Sequence, residues 1–449
     1  MRALAFELLR RVAEDDSYAN LLLPKLLSDA KVDSRDAGFI QELAFGTLRN
    51  KLLYEKVLEL ASAREIRKIE PPALIVLLLG THQILSMRVP VHAAIYESVN
   101  LAKQKASKSA VGFVNAVLRR VSERSLDQWV SEVLELADSD DERLSFAHSH
   151  PLWIVKSLKA SLESRGLGQS LESLLVADNT PAKVSVAALP GFANVGELAD
   201  YGSVGSASPI GLELNVPPAR VPQVQLGHVR VQDQGSQLAV LALLAAEVET
   251  EDTRWLDICA GPGGKAALML AMAKQRSIEF EANEVSSHRA KLVAQALDLI
   301  SSVQVSIGDG RKIGQGGQRF TRLLLDAPCT GLGALRRRPE SRWRKQPTDI
   351  PELSKLQREL FIASWDALLP GGVLGYVTCS PHLSETTAVV SWAEARYRDD
   401  LELLPANQIL NEINPNLGLD VSFRTAQLWP HIHGTDAMFI ALFRKKVNS

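Results

Sequence analysis

From Gln237 onward the chain alternates short apolar runs with helical stretches, and this restricts the fold more than any other feature. RWLDICAGPGGKAALMLAMA reads as strand, glycine-rich turn and helix. SIEFEANE reads as a strand closed by an acid and is followed by the helical stretch SHRAKLVAQAL. VQVSIGDGR, TRLLLDAPC and GGVLGYVTCS supply three further strands. Strands joined through helices run parallel, because each crossover returns the chain to the same end of the sheet. The expectation is an α/β, Rossmann-like domain over residues 231–449. In such an open sheet, chemistry gathers at the carboxyl ends of the strands.

The first strand end carries the loop Cys259-Ala260-Gly261-Pro262-Gly263-Gly264-Lys265. It is not GxGxxG, but a loop nearly free of side chains lets a ligand reach the backbone and the helix N-terminus behind it. A plain tight turn is the alternative. Glu284 ends the next strand roughly 20 residues on, where an acid binds ribose hydroxyls; otherwise it is a helix-start acid. Asp309, at the following strand end, would reach the adenine side of the same ligand, or would simply form an Asp-Gly turn. Lys265 either meets a ligand carboxylate or caps the turn. This set suits a nicotinamide dinucleotide as well as S-adenosylmethionine.

The later strand ends decide between them. Asp326 and Cys329 follow the run Leu323–Leu325 in DAPCTG, and Cys379 closes YVTCS. The chain has three cysteines, an odd number with no CxxC, which argues against a disulfide framework or a zinc site; no metal is expected. Two thiols at strand ends, with no well-placed histidine as hydride partner, count against a nicotinamide enzyme and suit covalent catalysis, in which one thiol would attack and the other assist the exit; the residues alone do not rank them. Asp326 would lie near base and cofactor, or cap a turn. Cys259 lines the cofactor loop. Behind the loop, Arg336, Arg337, Arg338, Arg342, Arg344 and Lys345, interleaved with Trp343, form the densest basic run and suit an RNA backbone; a solvated helix face with a buried Trp is the alternative.

The front of the chain differs. Residues 1–145 carry helical periodicity in RALAFELLRRVAE, FIQELAFGTLRNKLLYEKVLELA and IVLLLGTHQILSM, so a helical bundle is expected. Residues 126–146 read as an acidic linker ending in a helix. Residues 146–230 read as a small α+β subdomain of short strands between Pro and Gly turns. His148 and His150 lack a third ligand nearby and read as helix-end residues. The net charge of −2 gives no global nucleic-acid signature. No apolar run approaches the roughly 20 residues needed to span a bilayer, and no secretory signal is legible, so a cytoplasmic protein is expected.

YANLLLPKLL, RDAGFIQELAFGTLRN, RVPVHAAIYESVNLAK and GFVNAVLRR together resemble the RNA-binding helical domain of the NusB family. LDICAGPGGK, Glu284, Asp309, DAPCTGLG and TCSPHLSE resemble the RNA cytosine-5 methyltransferases, and QLWPHIHGTDAMFIALFRK their closing strands. With the NusB-like front, the whole chain is similar to the bacterial small-subunit (16S) ribosomal RNA methyltransferase family RsmB (Sun/Fmu). The resemblance implies S-adenosyl-L-methionine as cofactor and 5-methylcytosine in 16S ribosomal RNA as product. It also implies attack by Cys379, release through Cys329, and RNA binding by the small subdomain. Glu284 stands where the family often has Asp, and Thr330 where Ser is commoner; both keep the polar group. The same chemistry on transfer RNA, a non-catalytic antitermination factor and an NAD enzyme are the other readings. DNA and membranes are not expected partners, and the oligomeric state is left open.

Overall fold

The computed structural model describes residues 1–15 and 18–447, and the chain packs as two compact units. The first comprises Met1–Pro181 with Leu335–Lys345; the second comprises Ala182–Ala334 with Gln346–Ser449. No helix among the described residues is long and apolar enough to cross a membrane.

The first unit is helical, as the periodicity requires. Helices span Arg2–Glu14, Ala19–Asp29, Ser34–Arg49, Lys51–Ser62, Pro71–Leu85, Val91–Lys105 and Lys108–Val121. Their apolar stripes, with Leu43, Val57, Leu77, Val114 and Leu118 among them, bury into one core. The long periodic stretch from Phe39 to Ala61 is broken at Asn50, whose side-chain amide donates to the Gly46 carbonyl at 3.0 Å while its backbone leaves the helical region. The acidic stretch expected as a linker ending in a helix instead holds two helices, Leu126–Leu134 and Asp140–Ala147, the first begun by a Ser125–Gln128 capping box. Leu152–Glu163 and Leu171–Asn179 also pack in this unit, whereas the strands that follow them in sequence belong to the second.

The basic run corrects the sequence reading. Leu335–Lys345 belongs to the helical unit, and Arg342 is 1% exposed. Its guanidinium donates to the carbonyls of Arg49 (3.0 Å), Ser149 (3.3 Å) and Asp178 (2.9 Å) and to Asn179 Oδ1 (2.7 Å). Trp343 donates its indole N–H to the Leu48 carbonyl at 2.9 Å and packs on the bundle core. Arg338 and Arg344 lie over the Tyr18 ring, 5.1 and 4.4 Å from its centroid. Helix-end carbonyls, rather than phosphates, take up Arg342, and burial pushes its guanidinium down to about 10. His150 is equally buried, its Nδ1 at 2.7 Å from the His148 carbonyl, in keeping with a structural role.

The second unit holds two sheets. β1 (Ser185–Ala188), β2 (Gly202–Val204), β3 (Gly211–Leu214) and β4 (Val229–Val231) form an antiparallel sheet in the order β2-β3-β1-β4. The larger sheet contains β5 (Arg254–Asp257), β6 (Glu279–Glu284), β7 (Val305–Ile307), β8 (Phe320–Asp326), β9 (Leu368–Thr378), β10 (Leu401–Leu404), β11 (Ala426–Gln427) and β12 (Phe439–Lys445). Its order is β10-β12-β9-β8-β5-β6-β7, with β11 beside β12. Strands β5 to β9 pair in parallel, and β12 runs antiparallel to β9 and β10. Strand β8 is buried on both faces: Leu323 and Leu325 join the core beneath the helices Asp349–Ala367 and Thr387–Arg396, and Leu324 joins the opposite one. Such two-faced burial explains why its sequence is continuously apolar rather than alternating. The strand order reverses between β5 and β8, which makes the crevice there the natural ligand site.

Arg342→Ala would leave three backbone carbonyls without their donor, so we expect a loss of about 3 kcal/mol or more, read as a lowered melting midpoint of the helical unit. Truncating the exposed Arg120 should leave that midpoint unchanged.

Candidate active site

The loop after β5 and the end of β6 meet as the spacing suggests. Glu284 is 2% exposed, and its carboxylate accepts the N–H groups of Gly261 and Ser286, each at 3.0 Å. A Cβ at 261 would stand 2.4 Å from Glu284 Oε2 and 2.6 Å from Arg289 Nε, so a side chain there would displace both groups from the loop. Arg289, which the sequence reading missed, donates to the Gly261 carbonyl and lies 3.5 Å from Glu284. The helix Gly264–Gln275 starts directly behind the loop and presents its N-terminal N–H groups there. Cys259 packs on the core below and Ala260 is buried; burial pushes the Cys259 thiol well up, as suits a lining residue. Asp309 caps the turn 310–312, and its carboxylate is held by the Arg311 guanidinium, which lowers its pKa.

Asp257, the last residue of β5, was also missed. It is 1% exposed, and neither carboxylate oxygen meets a donor in hydrogen-bond geometry among the described residues. Burial first, then the charge of Asp326, pushes its carboxyl up to about 8. A buried acid that the Cys259 backbone and the Lys265 charge compensate only in part, beside a side-chain-free loop, fits a ligand that brings its own cationic and hydroxyl groups, as S-adenosylmethionine does.

The two thiols converge. Cys329 follows β8, Cys379 follows β9, and their sulfurs lie 3.5 Å apart. The strands that deliver them are adjacent and parallel, with Asp326 opposite Val377. Asp326 accepts the Lys265 ammonium at 2.8 Å. Lys265 therefore reaches across to the β8 end rather than only capping its own turn. Burial alone would lower the Lys265 pKa, but Asp326 and then the Cys379 charge hold it above its ordinary value. Cys329 is pushed well up, first by its hydrogen bond with Cys379, then by burial and by the charges of Cys379, Glu385 and Asp326.

An open α/β sheet with its glycine-rich loop at the point where the strand order reverses, closed by an antiparallel β12, is a scaffold that binds its ligand at the strand ends, and the comparisons assign it to the S-adenosylmethionine-dependent methyltransferases. A family model described as 16S rRNA methyltransferase RsmB/F matches residues 243–444, and the NusB family model matches residues 1–123. A putative methyltransferase of Mycobacterium tuberculosis is 43% identical over 448 residues, which is 99% of this chain and 96% of that one. The ribosomal RNA small subunit methyltransferase B of Escherichia coli is 30% identical over 401 residues, covering 85% of this chain and 86% of the relative. The crystal structure of PH0851 superposes with a TM-score of 0.77 at 21% identity, covering 97% of this chain and 96% of that one, which supports the fold. The chain belongs to the RsmB/F family of RNA methyltransferases.

Asp257 sets a pH dependence. Its folded-state pKa of about 8 lies above the ordinary aspartate value of roughly 3.9, so its contribution to stability is full below the latter and is lost as pH rises through the former. Asp257→Asn in the ligand-free protein should therefore match wild type near the acid end and melt at progressively higher temperature than wild type as the pH is raised towards 9. A gain that did not vary with pH would contradict the assignment.

Proposed function

We propose that this protein makes 5-methylcytosine in small-subunit ribosomal RNA through a covalent bond between Cys379 and C6 of the target cytosine. One observation carries the reading: two thiols 3.5 Å apart, just past the carboxyl ends of adjacent parallel strands, beside a partly buried lysine–aspartate pair. S-adenosylmethionine, held by the loop Cys259–Lys265 and by Glu284 and Asp309, supplies an electrophilic methyl group. The chain's own residues do the rest.

Cys379 is the attacking thiol. The Lys265 ammonium lies within electrostatic reach of its charge, and the Cys329 thiol, 3.5 Å away, can share a proton with it. A cation and a hydrogen-bond donor both favour the thiolate. As the S–C6 bond forms, the C5=C6 electrons shift and make C5 nucleophilic. Asp326 is assigned to the pyrimidine edge, where it stabilises charge that builds on the ring. After methylation the C5 proton leaves to base and finally to water, and the S–C6 bond breaks to regenerate the thiolate. Cys329, next to the departing sulfur, serves this exit half. A cytosine within a helix cannot meet a sulfur in this crevice, so the base is taken out of its stack. The NusB-like unit and the antiparallel sheet β1–β4 are assigned to holding RNA, and the cytoplasm is where assembling subunits are met. The family descriptions that name 16S RNA support ribosomal over transfer RNA.

The test is a denaturing gel of wild type, Cys329→Ala and Cys379→Ala with unmodified 16S RNA and S-adenosylmethionine. Cys329→Ala should leave a slow-migrating protein–RNA adduct. Cys379→Ala should form none and lose methyl transfer by about 1,000-fold or more. An adduct with Cys379→Ala alone would reverse the roles, and methylation of transfer RNA in preference to 16S RNA would overturn the substrate.

A further inference from the structure

Glu385 is fully buried in the turn that follows Cys379, and four donors converge on its carboxylate. The Thr330 N–H meets Oε1 at 2.8 Å and the Gln357 amide meets it at 3.2 Å; the Thr330 and Ser380 hydroxyls each meet Oε2 at 2.6 Å. Thr330 directly follows Cys329, and Ser380 directly follows Cys379. One carboxylate thus bridges the residues adjacent to both thiols. Gln357 extends the network, since its amide also donates to the Pro328 carbonyl at 2.9 Å, on the other side of Cys329. Tyr376, in β9, fixes the Glu385 backbone by donating to its carbonyl at 2.7 Å. A second tie runs between the same loops: the Gly333 N–H donates to the Cys379 carbonyl at 2.9 Å, and a Cβ at 333 would collide with the Ala437 carbonyl at 2.1 Å.

The arrangement is costly unless it does something local. A buried carboxylate satisfied by hydroxyls and amides is tolerated only when its lone pairs are filled, and here two hydroxyls, a backbone N–H and a side-chain amide fill them. Strand pairing ends before the cysteines are reached: Asp326 and Val377 are the last opposed residues, and the Ala327 N–H to Val377 carbonyl bond at 2.8 Å is the last rung. Beyond it, nothing in the sheet fixes how far one thiol stands from the other. Glu385 takes over where the ladder stops.

We propose that Glu385 is a positioning residue that clamps the DAPC and TCS loops together and so sets the distance between the two thiols. This deepens the reading of Cys379 and Cys329 as the reacting pair and rests on it. After the hydrogen bond with Cys379, burial and the Cys379 charge, its charge also contributes to raising Cys329.

The experiment compares full-length wild type, Glu385→Gln, Glu385→Ala and Thr330→Val. The thiol distance is read chemically, as the rate at which diamide closes a Cys329–Cys379 disulfide, followed by mass spectrometry. S-adenosylmethionine binding by calorimetry reports whether the remaining site is intact, and kcat and KM are measured on 16S RNA. Glu385→Ala should slow disulfide closure by about tenfold and lower kcat by about 100-fold, while the RNA KM and cofactor Kd stay within about threefold. Glu385→Gln keeps an oxygen for the Thr330 N–H and an amide able to face a hydroxyl, so closure and most of kcat should recover. The pH profile of Cys329 alkylation in Glu385→Gln should move to lower pH. Thr330→Val, which puts a methyl group in place of the hydroxyl that meets Glu385 and Ser380 and keeps the backbone N–H, should fall between wild type and Glu385→Ala. Wild-type closure and turnover in Glu385→Ala would overturn the proposal, as would loss of cofactor binding in both Glu385 variants in step with kcat. Absence of methyl transfer to 16S RNA by the wild type would count against the ribosomal substrate alone, because disulfide closure still decides the clamp.

Discussion

Everything at the site depends on the pairing of β8 with β9. Adjacent parallel strands lie roughly 4.8 Å apart, so the loops that leave β8 and β9 start out side by side, and the contacts beyond the last rung set the final distance between the thiols. The register sets Leu323 beside Leu374 and Asp326 beside Val377, and it places Cys329 and Cys379 just past the rim. Slipping that register by one residue would exchange the two buried faces of β8 and separate the thiols. The core on both sides of Leu323, Leu324 and Leu325 is what prevents the slip.

Charge is then distributed over a small volume. Asp257, Asp326, Glu284 and Glu385 are all within electrostatic reach of the thiols or the cofactor loop, and Lys265 and Arg289 are cations placed among them. Burial first and neighbouring acids second raise Asp257 and Cys259, the hydrogen bond with Cys379 is the largest cause at Cys329, and Lys265 lies within reach of the Cys379 charge. Three cysteines in similar strand-end positions thus have different chemistry, determined by which neighbours lie within a few ångströms.

The strand ends were legible in the sequence because apolar runs mark strands and the residue that breaks each run marks its end. Glu284, Asp326, Cys329 and Cys379 were all found in that way, and the helical front was found from its period. What was not legible depended on partners distant in sequence. Arg342 reads as a surface charge until Arg49, Ser149 and Asp178 supply carbonyls from far along the chain. Glu385 carries no signal of its own in the sequence, because Thr330, which donates to it, stands 55 positions away. Asp257 lies inside a motif that was noticed for its glycines, and only its burial with partial compensation distinguishes it. The break at Asn50 fell inside an uninterrupted apolar period, because a side-chain hydrogen bond leaves no trace in hydropathy.

The most direct test of the account is to identify the sulfur that bonds to the base. Small-subunit RNA carrying 5-fluorocytidine cannot release a proton from C5, so wild-type enzyme with S-adenosylmethionine should be trapped as an adduct that survives denaturation. Proteolysis and mass spectrometry should then place the modified nucleotide on Cys379, with Cys329 unmodified. A nucleotide on Cys329, or no covalent complex under conditions where ordinary RNA is methylated, would contradict the account.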